Sequence, residues 1–248
     1  MMRWLIWYSS FAVITCLAAG CEKSSKDAAP SVVVSEQSAP PSNNLLQNPG
    51  FEEGRDRWTW KEQSLFWRNF DITDTPTHSG KRSAKLTLKS NDSAIQTTKV
   101  VGVVQELPAP ELPARVGGYY YVKDLTKSDP AVALYLQVAV VVWVDAAQGF
   151  PNQQLRYYLA GQSKPALNIG NAKVEIIDPS QPKTGTWIAF DLPLRADFER
   201  LWGAVPQDYE RIEVFFEVRW DNMTPEGAVA AEVYFDDLFV DAYTPVTK

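Results

Sequence analysis

An all-β domain, a sandwich of two antiparallel sheets, is the fold class this sequence predicts, and three observations predict it. Apolar residues recur at every second position almost everywhere from Leu45 onward, which is the period of a strand with one buried face. Clusters of Gly, Pro, Asn and Asp separate these runs, as turns between strands require. The roughly 200 residues from Leu45 to Tyr243 suit one sandwich better than two separate cores, and no internal repeat divides them.

The clearest strand runs from Val132 to Val144, where Val132, Leu134, Leu136, Val138, Val140, Val142 and Val144 form one aliphatic row. The alternate row, Ala133, Tyr135, Gln137, Ala139, Val141, Trp143 and Asp145, mixes small, aromatic and polar groups. The first row belongs in a core and the second on a face that water or a ligand reaches. A second strand, Arg211 to Asp221, sorts Ile212, Val214, Phe216, Val218 and Trp220 to one side and Glu213, Phe215, Glu217, Arg219 and Asp221 to the other. Further strands are expected at Ser83 to Leu88, Val116 to Val122, Thr186 to Leu192 and Tyr234 to Val240. Only Asp197 to Trp202 and the stretch around Gln207 to Tyr209 read as helical turns. Two such sheets packed face to face make the sandwich.

Ahead of this domain, Arg3 is the one charge before a mostly apolar run from Trp4 to Leu17, which closes on Ala18, Ala19, Gly20 and Cys21. A basic start, a short apolar stretch and a small-residue end are the parts of a secretion signal, and about 14 residues fall short of the ~20 that cross a bilayer. Leu17-Ala18-Ala19-Gly20-Cys21 resembles the lipobox of bacterial lipoproteins. That resemblance implies lipidation of Cys21, anchoring in a membrane of the cell envelope and, with Glu22 rather than Asp next, the outer membrane. The alternative is an ordinary cleaved signal with a chance cysteine. Residues 22 to about 44 are mostly Ser, Ala, Pro, Lys and Glu. Such a composition cannot bury enough apolar surface to fold, so it reads as a tether. The expected organisation is signal over 1–20, lipidated cysteine and tether over 21–44, and sandwich over 45–245.

Composition narrows the chemistry. The only cysteines are Cys16, lost with the signal, and Cys21, taken by lipid, so no disulfide, thiolate nucleophile or thiolate metal site is expected in the domain. A single histidine, His78, leaves no material for a multi-histidine metal site and argues against a histidine-based triad. The net charge of −6 carries no basic stripe, which excludes a phosphate-backbone binder, so nucleic acid is not an expected partner.

Leu45-Leu46-Gln47-Asn48-Pro49-Gly50-Phe51-Glu52-Glu53-Gly54, followed by Trp58, resembles the opening of the jelly-roll carbohydrate-binding modules of families four, nine and twenty-two. His78-Ser79-Gly80-Lys81-Arg82-Ser83-Ala84-Lys85-Leu86 is similar to their next segment, a small-residue turn feeding a strand. Tyr234-Phe235-Asp236-Asp237-Leu238-Phe239-Val240 is similar to their last strand. The resemblance implies a galactose-binding-like jelly roll with a structural calcium ion on Glu52 and Asp236, completed by backbone carbonyls near His78 to Gly80. Two carboxylates plus carbonyls and water suit calcium's 6–8 oxygen ligands; the alternative is that both acids cap turns. The parity of Asp236 with Leu238 and Val240 turns it toward the apolar side, where its charge needs a partner.

The same resemblance implies a glycan held on one sheet face. Sugars show CH groups on their faces and hydroxyls at their edges, so recognition requires an aromatic ring with polar side chains beside it. The mixed rows offer Tyr135, Gln137 and Trp143 on one strand and Glu217 and Arg219 on another, with Trp67 a further candidate and Tyr119, Tyr121 and Tyr157 after it. The alternative is that these aromatics fill a second small core. Glycoside hydrolysis needs two carboxylates about 5–10 Å apart, whereas Glu213 and Glu217 on one strand lie roughly 13 Å apart along it. The expectation is therefore a non-catalytic, glycan-binding surface lipoprotein. The competing class is a structural or protein-interaction lipoprotein using the same fold without sugar binding.

Overall fold

A computed structural model describes residues 43–90, 98–107, 110–144, 152–167, 169–221 and 228–244. The signal segment, Cys21, the tether through Ser42 and Asp145 lie outside the described residues. The alternating pattern has produced two sheets. The first holds, in spatial order, β1 (Trp67–Arg68), β4 (Thr98–Leu107), β10 (Arg211–Asp221), β6 (Ala133–Trp143), β7 (Asn152–Ala160) and β8 (Ala172–Ile176). The second holds β2 (Asp71–Thr73), β3 (Ser83–Lys89), β11 (Val229–Asp241), β5 (Arg115–Lys127) and β9 (Trp187–Leu192). From β3 to β6 and again from β8 to β11 the chain changes sheet at every step, the winding of a jelly-roll sandwich. The sheets are antiparallel except at the two edges of the first, where β1 joins β4 and β8 joins β7 in parallel.

The core lies between the sheets. Leu134, Leu136, Val138, Val140 and Val142 of β6 and Ile212, Val214, Phe216 and Val218 of β10 are fully buried, as the aliphatic rows require. Phe216 meets Phe235 of β11 at 5.8 Å and Phe190 of β9 at 6.3 Å, joining one sheet to the other. At the opening, Phe51 stacks on Trp58 at 5.0 Å, and Trp58 sets its edge on Phe216. Positive φ in this turn falls on Asn48 (51°), Phe51 (59°) and Gly54 (69°) rather than on Gly50. Asn48 tolerates it because its side chain takes over local backbone partners: it donates to the carbonyls of Gly54 and Asp56 and accepts from Glu53 N–H. The folded domain begins at least as early as Asn44, whose side chain accepts from Val240 N–H at 2.9 Å and donates to the Leu238 carbonyl at 3.0 Å.

One helix, α1 (Leu194–Trp202), starts before the expected turn and buries Leu194 and Phe198 in the core. Gly203, at φ 80°, ends it with an N–H bond to the Glu199 carbonyl, the left-handed stop that glycine adopts without strain. The stretch at Gln207 to Tyr209 is not helical. The apolar side of β11 also differs from its simple parity. Ala231, Val233 and Phe235 face the core, and then an irregularity between Asp236 and Phe239, with Asp237 at φ 46°, passes the core positions to Leu238 and Val240. A bulge shifts the register of sides by one residue. Asp236 is therefore not on the core row, and it is buried instead from the other side, under the His78 turn.

Candidate functional site

The mixed rows lie side by side on the outer face of the six-stranded sheet. Glu217 pairs with Gln137 across β10 and β6, and Ala139 lies between Phe215 of β10 and Arg156 of β7. On the other flank, Glu217 pairs with Gly102 of β4, and Trp67 of β1 pairs with Val100. Gly102, Ala139 and Val141 rise little above the sheet, while Trp67, Trp143, Lys61 and Arg156 are large. The result is a groove of about 200 Å³. That is below the ~300–1,000 Å³ of enclosed small-molecule sites and suits a chain-like ligand touched on one side. A second hollow, at Gly54, Ile72, Thr73, Asp74 and Arg82, has no aromatic wall.

Gly102 shapes this groove. A Cβ there would lie 2.8 Å from the Phe216 carbonyl oxygen, 3.0 Å from Glu217 Cγ and 3.2 Å from Trp67 Cζ3. The missing side chain lets the Trp67 ring lie close to the sheet, where it meets Phe215 at 5.9 Å. Trp143, at the far end, donates its indole N–H to Glu213 Oε2 at 2.9 Å and turns one face to the Arg211 guanidinium at 4.3 Å. Lys61 reaches in over the Phe215 ring and pairs with Glu213.

The floor is polar and nearly closed to water. Gln137 is fully buried; its amide N–H donates to Glu217 Oε2, while its Oε1 has no hydrogen-bond partner among the described residues. Arg219 pairs with Asp221 at 2.9 Å and with Glu217 at 3.5 Å. Burial opposes its charge, but those two carboxylates hold the guanidinium above its usual pKa range. Burial likewise opposes the charge on Asp221, and Arg219 outweighs it, holding that carboxyl below its usual value. Arg156 binds Gln154 Oε1 through Nε at 2.9 Å and Nη2 at 2.7 Å.

Of the residues expected at a ligand site, Trp67, Gln137, Trp143, Glu217 and Arg219 come together along this groove. Tyr135 does not line it. The ring is fully buried against Tyr158 at 4.2 Å, and its hydroxyl donates to Asp221, so it supports Arg219 from behind. Tyr157 lies in the core with its hydroxyl on Asp197 at 3.0 Å. Tyr119 and Tyr121 lie on the other sheet, against His78 and Trp187. Lys61, Asn152, Gln154, Arg156 and Phe215 also line the groove. The Leu155, Tyr157, Leu159 alternation was the available signal for β7 and puts Gln154 and Arg156 on the mixed side; nothing local marked Lys61.

Glu52 and Asp236, the calcium ligands implied by the resemblance, are bound by backbone amides. Asp236 Oδ2 accepts from His78 N–H at 2.8 Å and Ser79 N–H at 3.3 Å, and its Oδ1 accepts from Asp237 N–H at 2.8 Å. Glu52 Oε1 accepts from Lys81 and Arg82 N–H at 2.8 and 3.0 Å, so close to Gly80 that a Cβ there would lie 2.3 Å from it. Burial pushes the Asp236 carboxyl up to about 7. Asp237 bridges His78 Nδ1 at 2.6 Å and the Ser79 hydroxyl at 2.8 Å. A cation needs carbonyl oxygens where the His78 turn aims N–H groups, so these residues fit a clasp between chain ends, not a calcium shell. Among the described residues no three His, Cys, Asp or Glu side chains are grouped to hold a metal.

Fold and groove together define a jelly-roll β-sandwich with an open, polar-floored cleft on a sheet face. No family model and no curated protein matches the chain. Among solved structures it is similar to TmCBM61 in complex with β-1,4-galactotriose, at 15% identity and a TM-score of 0.41 over 82% of this chain and 100% of that one. It is also similar to CBM28, a carbohydrate-binding module specific for non-crystalline cellulose, at 12% identity and 0.43 over 84% and 99%. The xyloglucanase domain of NopAA from Sinorhizobium fredii, in complex with cellobiose, follows at 13% and 0.37 over 77% and 96%. At these values none of them bears on what the groove holds.

Proposed function

We propose that this chain is a non-catalytic lipoprotein of the bacterial cell envelope, anchored at the outer membrane through acylated Cys21, whose groove binds a glycan. The observation that carries this reading is the floor. A buried amide oxygen, Gln137 Oε1, has no partner among the described residues, and Gln137 lines the same groove as Trp67 and Trp143. Unpaired buried acceptors are costly, so a side-chain shift that opens the floor would let a sugar hydroxyl supply the missing donor while CH faces meet the Trp67 and Trp143 rings. Glu213 is tied to Lys61 and Trp143, and Glu217 to Gln137 and Arg219. Carboxylates so engaged favour holding a ligand over the free acid and base pair of hydrolysis.

Among the described residues no helix is long and apolar enough to cross a membrane, and the proposed attachment rests on the resemblance of Leu17 to Cys21 to a lipobox. Acyl chains contribute roughly 0.8 kcal/mol per buried CH₂, and more than one is needed for a stable hold. The test is retardation of the purified protein in gels containing soluble polysaccharides, with Trp67→Ala and Gln137→Ala beside it and labelled palmitate followed in Cys21→Ala. Specific retardation lost in both groove variants, with label lost in Cys21→Ala, is the expected result. A folded protein that no polysaccharide retards overturns the binding reading, and label retained in Cys21→Ala overturns the anchor.

A further inference from the structure

We propose that the groove selects a glycan carrying isolated carboxylates, a uronic acid set among neutral sugars, and that Arg156 is the group that takes the carboxylate. This rests on the glycan-binding reading of the groove. Five charged side chains line it: Lys61, Arg156, Arg219, Glu213 and Glu217. Lys61 pairs with Glu213, and Arg219 pairs with Glu217 and with Asp221 behind it. Arg156 alone among them has no carboxylate within ion-pair distance among the described residues, and its partner is the neutral oxygen of Gln154.

The donor count sharpens this. A guanidinium has five N–H groups, and Arg156 uses one at Nε and one at Nη2 on that single amide oxygen. Among the described residues both Nη1 hydrogens and one on Nη2 are left without an acceptor. Its cross-strand neighbours, Ala139 on β6 and Val174 on β8, are apolar and offer no acceptor side chain. Of the charged groups that act on it, Glu217 is already held by Gln137 and Arg219, and Arg219 opposes it. Burial, and after it the charge on Arg219, lowers the Arg156 pKa, as expected of a cation short of counter-charge. A carboxylate matches the remaining fork in geometry and charge.

Charge pairing fixes the limit of this preference. Lys61 and Arg219 are taken by carboxylates of the chain and the whole chain carries −6, so one carboxylate is matched at Arg156 while a dense polyanion meets no second unpaired cation among the groove's described residues and is opposed by the chain's net charge.

The experiment titrates the full chain, solubilised in detergent, with glucuronoxylan oligosaccharides and with arabinogalactan bearing terminal glucuronic acid. Each is compared with its carboxyl-reduced form, in which the acid becomes a primary alcohol, and with polygalacturonate. Wild type is expected to bind an acidic form about tenfold or more tighter than the reduced form, the scale of a charge-assisted contact. Arg156→Gln, checked for fold by circular dichroism, is expected to bind both forms alike. Equal binding of acidic and reduced forms by wild type, with both lost in Trp67→Ala, overturns the carboxylate assignment and leaves the groove reading standing. Polygalacturonate bound as tightly as the sparsely acidic glycans overturns the limit to isolated charges. No binding to any glycan overturns both readings together.

Discussion

The outer faces of the two sheets carry similar side chains and come to different ends. On the five-stranded sheet, Lys85, Tyr234, Tyr121 and Trp187 pair in one row across four strands. Their rings fill each other's space: Tyr121 meets Trp187 at 5.5 Å and Tyr234 at 5.8 Å, while His78 stacks on Tyr119 at 3.5 Å. Glu232 beside them accepts from Tyr234 and pairs with Lys85 and Lys123, both at 3.1 Å. On the six-stranded sheet Ala139 and Val141 lie between Trp67 and Trp143, so the tryptophans stand around a hollow whose floor holds an amide oxygen without a partner among the described residues. Aromatic and charged residues make a candidate site only where small residues between them leave room and where some polar group lacks a partner.

The sharpest way to break this comparison is one tryptophan from each face. Trp67→Ala should weaken glycan binding by about a hundredfold, the loss expected for a central anchor, whereas Trp187→Ala should leave it unchanged in the same titration. Equal losses would mean that the two faces do not differ in kind. Gly102→Ala should be next in size. Its Cβ would press on the Phe216 carbonyl and the Trp67 ring, so about 1–3 kcal/mol of stability should be lost in urea unfolding. Binding should fall with it because Trp67 is displaced.

The clasp at the chain ends gives a third test. A calcium ion at a hundred times its Kd would raise Tm by roughly 5–10 °C for a domain of this size. Neither added calcium nor a chelator is expected to move Tm, and a rise with calcium would restore the metal to Glu52 and Asp236. The smallest effect belongs to the filled face. The hydrogen bond from Tyr234, with those from Lys123 and Lys85, holds the Glu232 carboxyl down at about 2, below its ordinary 4.5. A depressed carboxyl contributes stability above its unfolded pKa and loses it as pH falls through its folded one. Glu232→Gln should therefore be less stable than wild type at neutral pH, with the gap closing between pH 4.5 and 2.

Legibility in the sequence follows the range of the physics. Strand and side at β6 and β10 were readable because alternation is local: each residue's burial follows from its neighbours two positions away. The parity of Asp236 was misread for the same reason, since a bulge at Asp237 resets the count and only pairing with β5 reveals it. Gln137, Trp143, Glu217 and Arg219 could be named from their strands' polar rows, but Tyr135, of equal parity, is buried by Tyr158 from the next strand. Lys61 carried no local marker because a loop brings it to the groove, and the alternation of Leu155, Tyr157 and Leu159 gave the side of Arg156 but not which strands would flank it.

The sequence by itself determined the strands of β6 and β10, the buried faces of the sandwich and the absence of cysteine from residues 45–245. These depend on composition and on contacts between near neighbours in the chain. Tertiary structure decided that the two mixed rows adjoin, that Gly102 lets Trp67 lie close to the sheet, that Arg156 has no carboxylate partner among the described residues, and that backbone amides hold Glu52 and Asp236. Each of these depends on which strands become neighbours, and side-chain space and charge pairing across strands are set only once the sheets have closed.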